Sequence, residues 1–200
     1  MSSRIRFPFA SDVFAAFPDL WRLAPPPSAE VETRAYAETL AASARPREAI
    51  AFLAHLMSKR EAIWWGLRCV HAARGAAAGT AAARAVEAWV RTPDDDLRRA
   101  AMDEGARGDT RKAETFLALA VARSGGSLTP VDLAPVAAPP EACALAVNAA
   151  IVLAALAGEP SAVDARLRAC AQSGVHFLRG GDATPEWGSA WAGETPRRAA

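Results

Sequence analysis

The chain has 200 residues, of which 52% are hydrophobic and 22% charged, so length and composition predict one globular domain and exclude a disordered chain. Its 23 basic and 22 acidic residues leave a net charge of +1, which lacks the excess of clustered Lys and Arg that nucleic-acid binding requires. No nucleic-acid partner is therefore expected.

Prolines and glycines divide the chain into segments whose apolar residues follow helical spacing. Residues 1–27 are predicted to form an N-terminal extended segment, residues 28–181 a single α-helical domain, and residues 182–200 a C-terminal tail that contains tryptophan. In chain order, helices are predicted over 28–43, from Pro46, from Ser58, and over 80–91, 95–106, 110–123, 141–157 and 161–172.

Two helix starts carry a candidate cap, Ser28 for the first helix and Asp109 for the helix over 110–123. The helix over 141–157 is apolar on all sides except at Asn148, so it is expected at the centre of the fold. We expect the Asn148 amide to bond to a helix end or loop backbone and to line no ligand pocket. No segment alternates like a strand. The predicted fold class is all-α, an irregular antiparallel helical bundle or stack of helical hairpins with about 7–9 helices and no sheet.

The phrase REAI occurs twice, at 47–50 and 60–63. In the second copy, Ser58 and Glu61 have the spacing of a capping box, in which each side chain bonds to the backbone of the other residue. In the first copy, Pro46 fits a first helical position and Glu48 lies in the first turn. We therefore interpret REAI as the start of two consecutive helices. The alternative interpretation is catalytic, with Glu48 or Glu61 as an acid or base.

Two adjacent tryptophans follow the second REAI, and about 100° of helix rotation separates them. Trp65 is predicted to lie in the core, whereas Trp64 shares a polar stripe with Arg60 and Arg68. One interpretation is structural, with both guanidinium groups stacked on the Trp64 ring beneath a neighbouring helix. The other is a partner-binding anchor, because Trp and Arg dominate binding hot spots.

The C-terminal tail holds Trp187 and Trp191 in a stretch rich in Gly, Pro and Ser. Their four-residue spacing would place both rings on one side of a helix. We expect them either to fold back on the chain's own bundle or to bind a partner, since exposed apolar anchors mark a contact.

No metal or cofactor is expected. The spacing of the His and Cys residues matches no zinc motif, and on a helix Cys69 and His71 point to opposite sides. The glycine pairs follow helices rather than strands, so no phosphate loop is predicted.

The three cysteines, Cys69, Cys143 and Cys170, lie far apart in apolar surroundings, which indicates buried free thiols of a reducing compartment. The N-terminus lacks the apolar run of a signal peptide, and the apolar stretch over 142–157 is too short to span a bilayer. A soluble, cytoplasmic protein without a membrane span is therefore expected.

The segment KREAIWWGLRCV, residues 59–70, and the tail sequence PEWGSAW resemble an uncharacterised family of α-helical bacterial proteins of about this length. Its members carry a K/R-R-E-A-x-W-W segment followed by a small residue and a Cys. The resemblance implies a link to bacterial secretion genes of the contractile type VI kind. It supplies no catalytic residue and no substrate.

These observations favour a non-catalytic interaction protein, an adaptor or chaperone-like protein of the bacterial cytoplasm that is associated with protein secretion. Its partner would be another protein, bound through Arg60, Trp64, Arg68, Trp187 and Trp191. Self-association is left open. The alternative is a small enzyme with a buried Glu/His site around Glu61 and His71.

Overall fold

The computed structural model describes residues 6–74 and 79–186, and this part of the chain contains nine α-helices, two short 3-10 helices and no strand. The 3-10 helices cover Pro18–Arg22 and Pro160–Ala162. The α-helices are α1 (Ala10–Ala16), α2 (Thr33–Ala42), α3 (Pro46–Leu56), α4 (Lys59–Arg74), α5 (Ala81–Arg91), α6 (Asp95–Arg107), α7 (Ala113–Ala122), α8 (Ala142–Leu156) and α9 (Val163–Leu178). The all-α prediction is confirmed. Within the described residues, every helix is too short or too polar to cross a bilayer.

The N-terminal segment differs from the extended conformation predicted over residues 1–27, because it contains α1 and a 3-10 helix. The Phe9 N–H donates to the Asp12 carboxylate at 3.1 Å, which caps the start of α1. Val13 and Leu20 are buried in the core. This short helix is held by tertiary contacts, which local apolar spacing does not show.

Two predicted caps are wrong. Helix α2 begins at Thr33 rather than at Ser28, because the Thr33 hydroxyl donates to the Phe7 carbonyl at 2.6 Å and fixes the helix start against the N-terminal segment. Helix α7 begins at Ala113, after a turn in which the Asp109 carboxylate accepts from the Arg111 N–H at 2.9 Å.

Helix α8 is central, as predicted, and packs against α3, α4, α7 and α9. Its inward side chains Val147 and Ile151 are fully buried. Helix α4 approaches closely at Gly66, where an added Cβ would lie 2.9 Å from Leu117 Cδ2 and 3.2 Å from Val147 Cγ1. A larger residue at Gly66 would therefore push α4 away from α7 and α8.

The three cysteines are free and buried, one each on α4, α8 and α9. Burial raises the pKa of the Cys143 thiol to about 12. Burial also raises the pKa of Cys170, and its hydrogen bond with Cys69 acts in the same direction.

Arg166 on α9 is a buried arginine that holds the C-terminal end of α8. It donates to the carbonyls of Ala155 at 2.8 Å and Glu159 at 3.0 Å, and also to the carbonyl of Ala157. The last carbonyls of a helix have no partners inside the helix, and Arg166 supplies donors to those of Ala155, which is buried, and Ala157.

Candidate functional site

The doubled REAI phrase does mark the start of two consecutive helices. The Ser58 N–H and hydroxyl donate to Glu61 Oε2 at 3.3 and 2.8 Å, and the Glu61 N–H donates to Ser58 Oγ at 3.4 Å. In the first copy, Pro46 occupies the first turn of α3 and Glu48 pairs with Arg45 at 3.0 Å. The Glu61 carboxylate is thus engaged in the local structure of α4.

Replacing Ser58 or Glu61 with alanine is expected to lower the free energy of unfolding by about 0.5–2 kcal/mol, because a helix cap is lost. Urea denaturation of each variant checks this. Glu61→Gln keeps an acceptor at this position and should lose less. Unchanged stability in both alanine variants would contradict the capping role.

The structure does not bring together the glutamate and histidine of the enzymatic alternative. His71 Nε2 lies 3.1 Å from Glu87 Oε1 of α5. Glu61 is ten residues earlier on the same helix, so about 15 Å of helix rise separates it from His71. Among the described residues, no group of three His, Cys, Asp or Glu side chains could hold a metal ion.

Arg60 and Arg68 both make bonds within the chain. Arg60 donates to the carbonyls of Val90 at 2.9 Å and Arg91 at 3.2 Å, at the end of α5, rather than stacking on Trp64. Arg68 does lie over the half-buried Trp64 ring, with its Cζ atom 5.4 Å from the ring centroid. The structure therefore favours a structural role for both arginines.

The beginning of the C-terminal tail is docked on the helical domain. Both Nε and Nη2 of Arg68 donate to Thr184 Oγ1, at 2.9 and 2.6 Å, and the neighbouring Ala183 and Pro185 are buried. The fold-back alternative therefore describes the tail up to residue 186. Trp187 and Trp191 lie outside the described residues.

A buried histidine, His55, lies beside Phe17, with their ring centroids 5.1 Å apart. Its Nδ1–H donates to the Ala51 carbonyl at 2.8 Å. Burial lowers the pKa of His55, although this hydrogen bond and the charge of Glu141 act in the opposite direction. The folded protein therefore favours the neutral imidazole.

This preference makes stability depend on pH. As the pH falls through the ordinary histidine value of 6.5, the unfolded chain takes up a proton that folded His55 resists. The free energy of unfolding should fall on acidification from about pH 7 to 5, and His55→Gln should flatten that dependence. Urea titrations across this range measure both slopes. Equal slopes for the two proteins would show that His55 contributes nothing to them.

Asn148 is the clearest failure of the sequence prediction for this region. Its Oδ1 atom is buried and has no hydrogen-bond partner among the described residues. The residue also lines an open cleft. Asn148 lies in the middle of α8, and none of the helix-end and loop residues that share the cleft with it bonds to its Oδ1 atom.

This cleft, which we call the basic cleft, has a volume of about 540 Å³. Its polar lining comes from Arg22, Arg47, Thr110 and Asn148, and its apolar lining includes Leu23, Phe116, Val152 and Leu153.

The charges of the basic cleft are not fully neutralised. Arg22 pairs with Asp19 at 3.2 Å, whereas exposed Arg47 has no ion pair within residues 6–74 and 79–186. The described lining residues include no carboxylate, His or Cys that could act as a base or nucleophile. The cleft is therefore suited to binding an acidic and partly apolar group.

A second surface that the sequence reasoning missed is the loop between α7 and α8, residues 127–137, which we call the apolar loop. Its side chains Val131, Leu133 and Val136 are 83%, 56% and 51% exposed. Asp132 lies between the first two, is exposed, and has no ion pair in the described part of the chain. The available signal was the run of aliphatic residues between prolines in LTPVDLAPV.

Hydrogen bonds within the apolar loop give it a defined shape. The Leu128 N–H donates to the Val136 carbonyl at 2.8 Å, and the Val136 N–H donates to Ser127 Oγ at 3.1 Å. The Thr129 hydroxyl donates to the Ala134 carbonyl at 2.8 Å.

Two arginines of α6 tie the loop to the helical domain. Buried Arg98 donates to the Ser127 carbonyl at 3.1 Å, and Arg99 donates to the Thr129 carbonyl, also at 3.1 Å. Both also bond to Asp95, whose pKa they hold below its ordinary value. Gly126, at φ +61°, provides the left-handed turn that lets the chain pass close to Arg98.

A family model described as a family of unknown function, DUF6931, matches residues 36–178. This match runs from α2 to the end of α9 and includes the apolar loop, Asn148 and Arg47. No curated protein and no solved structure matches the chain. Because the family model covers more than half of the sequence, the chain belongs to the family of unknown function DUF6931.

Proposed function

We propose that this chain is a non-catalytic interaction protein whose contact surface is the apolar loop. The observation that carries the proposal is the exposure of Val131, Leu133 and Val136 on a loop of fixed shape. Exposed aliphatic side chains that lie together mark contact sites. A loop that is already ordered loses little conformational freedom on binding, which favours association.

The size of the apolar contribution indicates what kind of contact this is. Burying an aliphatic side chain completely contributes about 1.5–3 kcal/mol, so covering three partly exposed ones contributes roughly 2–5 kcal/mol. Association costs an estimated 4–15 kcal/mol in lost translational and rotational freedom. The three side chains therefore need further contacts, and unpaired Asp132 is positioned to make one.

The enzymatic alternative has less support. Glu61 is bonded to Ser58 in a helix cap. His71 lies beside Glu87 instead, far from Glu61 along the same helix. No described residue lining the basic cleft is a typical general base.

We further propose that the protein acts in the bacterial cytoplasm as an adaptor or chaperone-like protein associated with protein secretion. The support is the resemblance of residues 59–70 to bacterial proteins linked to type VI secretion genes. The identity of the molecules that the apolar loop contacts in the cell tests this assignment.

A photo-crosslinking amino acid placed at Leu133 tests the contact surface in the native cell. The matched control carries it at Ala106, an exposed position near the end of α6. We expect a defined protein adduct from position 133 and not from position 106. We also expect this adduct to disappear in a Val131→Ser, Val136→Ser background of unchanged melting temperature. Equal labelling from both positions would reject the loop as the contact surface.

A further inference from the structure

We propose that the apolar loop of one copy of the chain binds in the basic cleft of a second copy. This inference rests on the proposed function, because it names the partner of the loop. It is carried by the match in charge and polarity between two surfaces of the same molecule. The loop presents a carboxylate between aliphatic side chains, and the cleft presents guanidinium groups beside apolar side chains.

The charge match involves groups that are free to take part. Asp132 on the loop and Arg47 in the cleft are both exposed, and neither has an ion pair in the part of the chain that the structure describes. Arg22 adds positive charge beside Arg47, although Asp19 partly neutralises it. A carboxylate that enters this recess meets net attraction, because none of the described lining residues is acidic and Asp19 offsets only part of the positive charge.

The apolar match completes the contact. On either side of Asp132, Val131 and Leu133 project from the loop into solvent. The cleft offers Phe116 and Val152 as apolar lining, together with Leu23, itself 37% exposed. Burying these surfaces against each other supplies the hydrophobic part of the association, and the carboxylate fixes its orientation.

Within one molecule the loop and the cleft are separate surfaces, since no residue of the apolar loop lines the cleft. Arg98 and Arg99 fix the loop to the start of α6, whereas the cleft lies beside the middle of α8 and the start of α3. A contact between two different surfaces is heterologous, so each copy can bind one neighbour through its loop and another through its cleft. Repetition gives a ring if the rotation closes and an open chain if it does not.

Sedimentation velocity of the full chain over a range of concentrations tests the proposal. We expect the average mass to rise with concentration and to fall when salt is added, because charges at the rim of a contact are screened. Asp132→Arg and Arg47→Glu should each weaken the association by about tenfold or more, since each places like charges together. The matched controls are Asp103→Arg and Arg34→Glu, the same charge changes at exposed positions outside both surfaces. These should leave the association unchanged.

The decisive measurement is the mixture of the two variants. Where the loop of the Asp132→Arg variant enters the cleft of the Arg47→Glu variant, the new arginine faces the new glutamate. Where the loop of the Arg47→Glu variant enters the cleft of the Asp132→Arg variant, the native Asp132 faces the native Arg47. Mixing equal amounts should therefore restore the association that each variant alone has lost. A chain that stays monomeric at its highest soluble concentration would overturn the proposal, as would variants that weaken association no more than the controls. In either case, an adduct between position 133 and a different protein would leave the interaction function standing.

Discussion

Trp65→Ala is expected to lower the free energy of unfolding by about 3–5 kcal/mol, the loss typical of removing a large aromatic side chain from a core. Trp65 on α4 is fully buried against α9. Its indole N–H donates to Ser173 Oγ at 3.1 Å and to the Cys170 carbonyl at 3.2 Å. An alanine would leave a cavity and would remove the indole donor from both acceptors, although the Ser173 hydroxyl would still donate to the Cys170 carbonyl. The free energy of unfolding of an ordinary domain is about 5–15 kcal/mol, so this change removes a large part of the stability.

The neighbouring Trp64 provides a matched control for this measurement. It is half-buried and stacks under the Arg68 guanidinium, so Trp64→Ala should lose the stacking contribution of about 0.5–2 kcal/mol and a smaller apolar contact. Urea denaturation of both variants compares the two positions directly. Trp65→Phe serves if the alanine variant does not fold. Equal losses at positions 64 and 65 would contradict the difference in burial between the two rings.

Replacing Arg166 with methionine is expected to lower the free energy of unfolding by about 1.5–3 kcal/mol, the contribution typical of hydrogen bonds from a charged group. Methionine keeps the apolar part of the side chain but removes the donors to the carbonyls of Ala155, Ala157 and Glu159. The carbonyls of Ala155 and Ala157 lie at the C-terminal end of α8, the central helix, so the loss of their donor affects the middle of the fold. The Glu159 carbonyl still accepts from the Ala162 N–H at 3.1 Å.

Arg168→Met is the matched control, because Arg168 lies two residues later on the same helix and is exposed. It should change stability by less than about 0.5 kcal/mol, as is usual for surface substitutions. Thermal and urea denaturation of the pair should show the difference. If Arg166→Met were as mild as Arg168→Met, the bonds to α8 would contribute little to the stability of the fold.

The sequence predicted those helix starts that depend on residues close together in the chain. The Ser58–Glu61 pair involves residues three apart and has a recognisable pattern. The helix predicted over 80–91 also begins locally, since the Thr80 hydroxyl accepts from the Ala83 N–H at 3.1 Å. The start of α2 was mispredicted because the Thr33 hydroxyl bonds to Phe7, twenty-six residues earlier. Local residue types give no information about such a contact.

The candidate surfaces were predicted less well for the same physical reason. The sequence singled out Asn148 as an unusual amide in an apolar helix, but its surroundings come from α3, α7 and the N-terminal 3-10 helix as well. Arg60 and Arg68 were identified as neighbours of Trp64, yet their hydrogen-bond partners lie on α5 and on the C-terminal segment. Helical spacing shows which side chains share a face and does not show what covers that face.

The buried thiols on α4, α8 and α9 make chemical labelling a way to follow how the bundle opens. A buried thiol resists an alkylating reagent until its helix moves away from its neighbours. A cysteine reacts as a thiolate, so the raised pKa values of Cys143 and Cys170 slow their reaction further. Local openings have their own free energies, and these range from near zero up to that of global unfolding. The labelling rates of Cys69, Cys143 and Cys170 in the native protein would therefore report whether these three helices detach separately or as one cooperative unit.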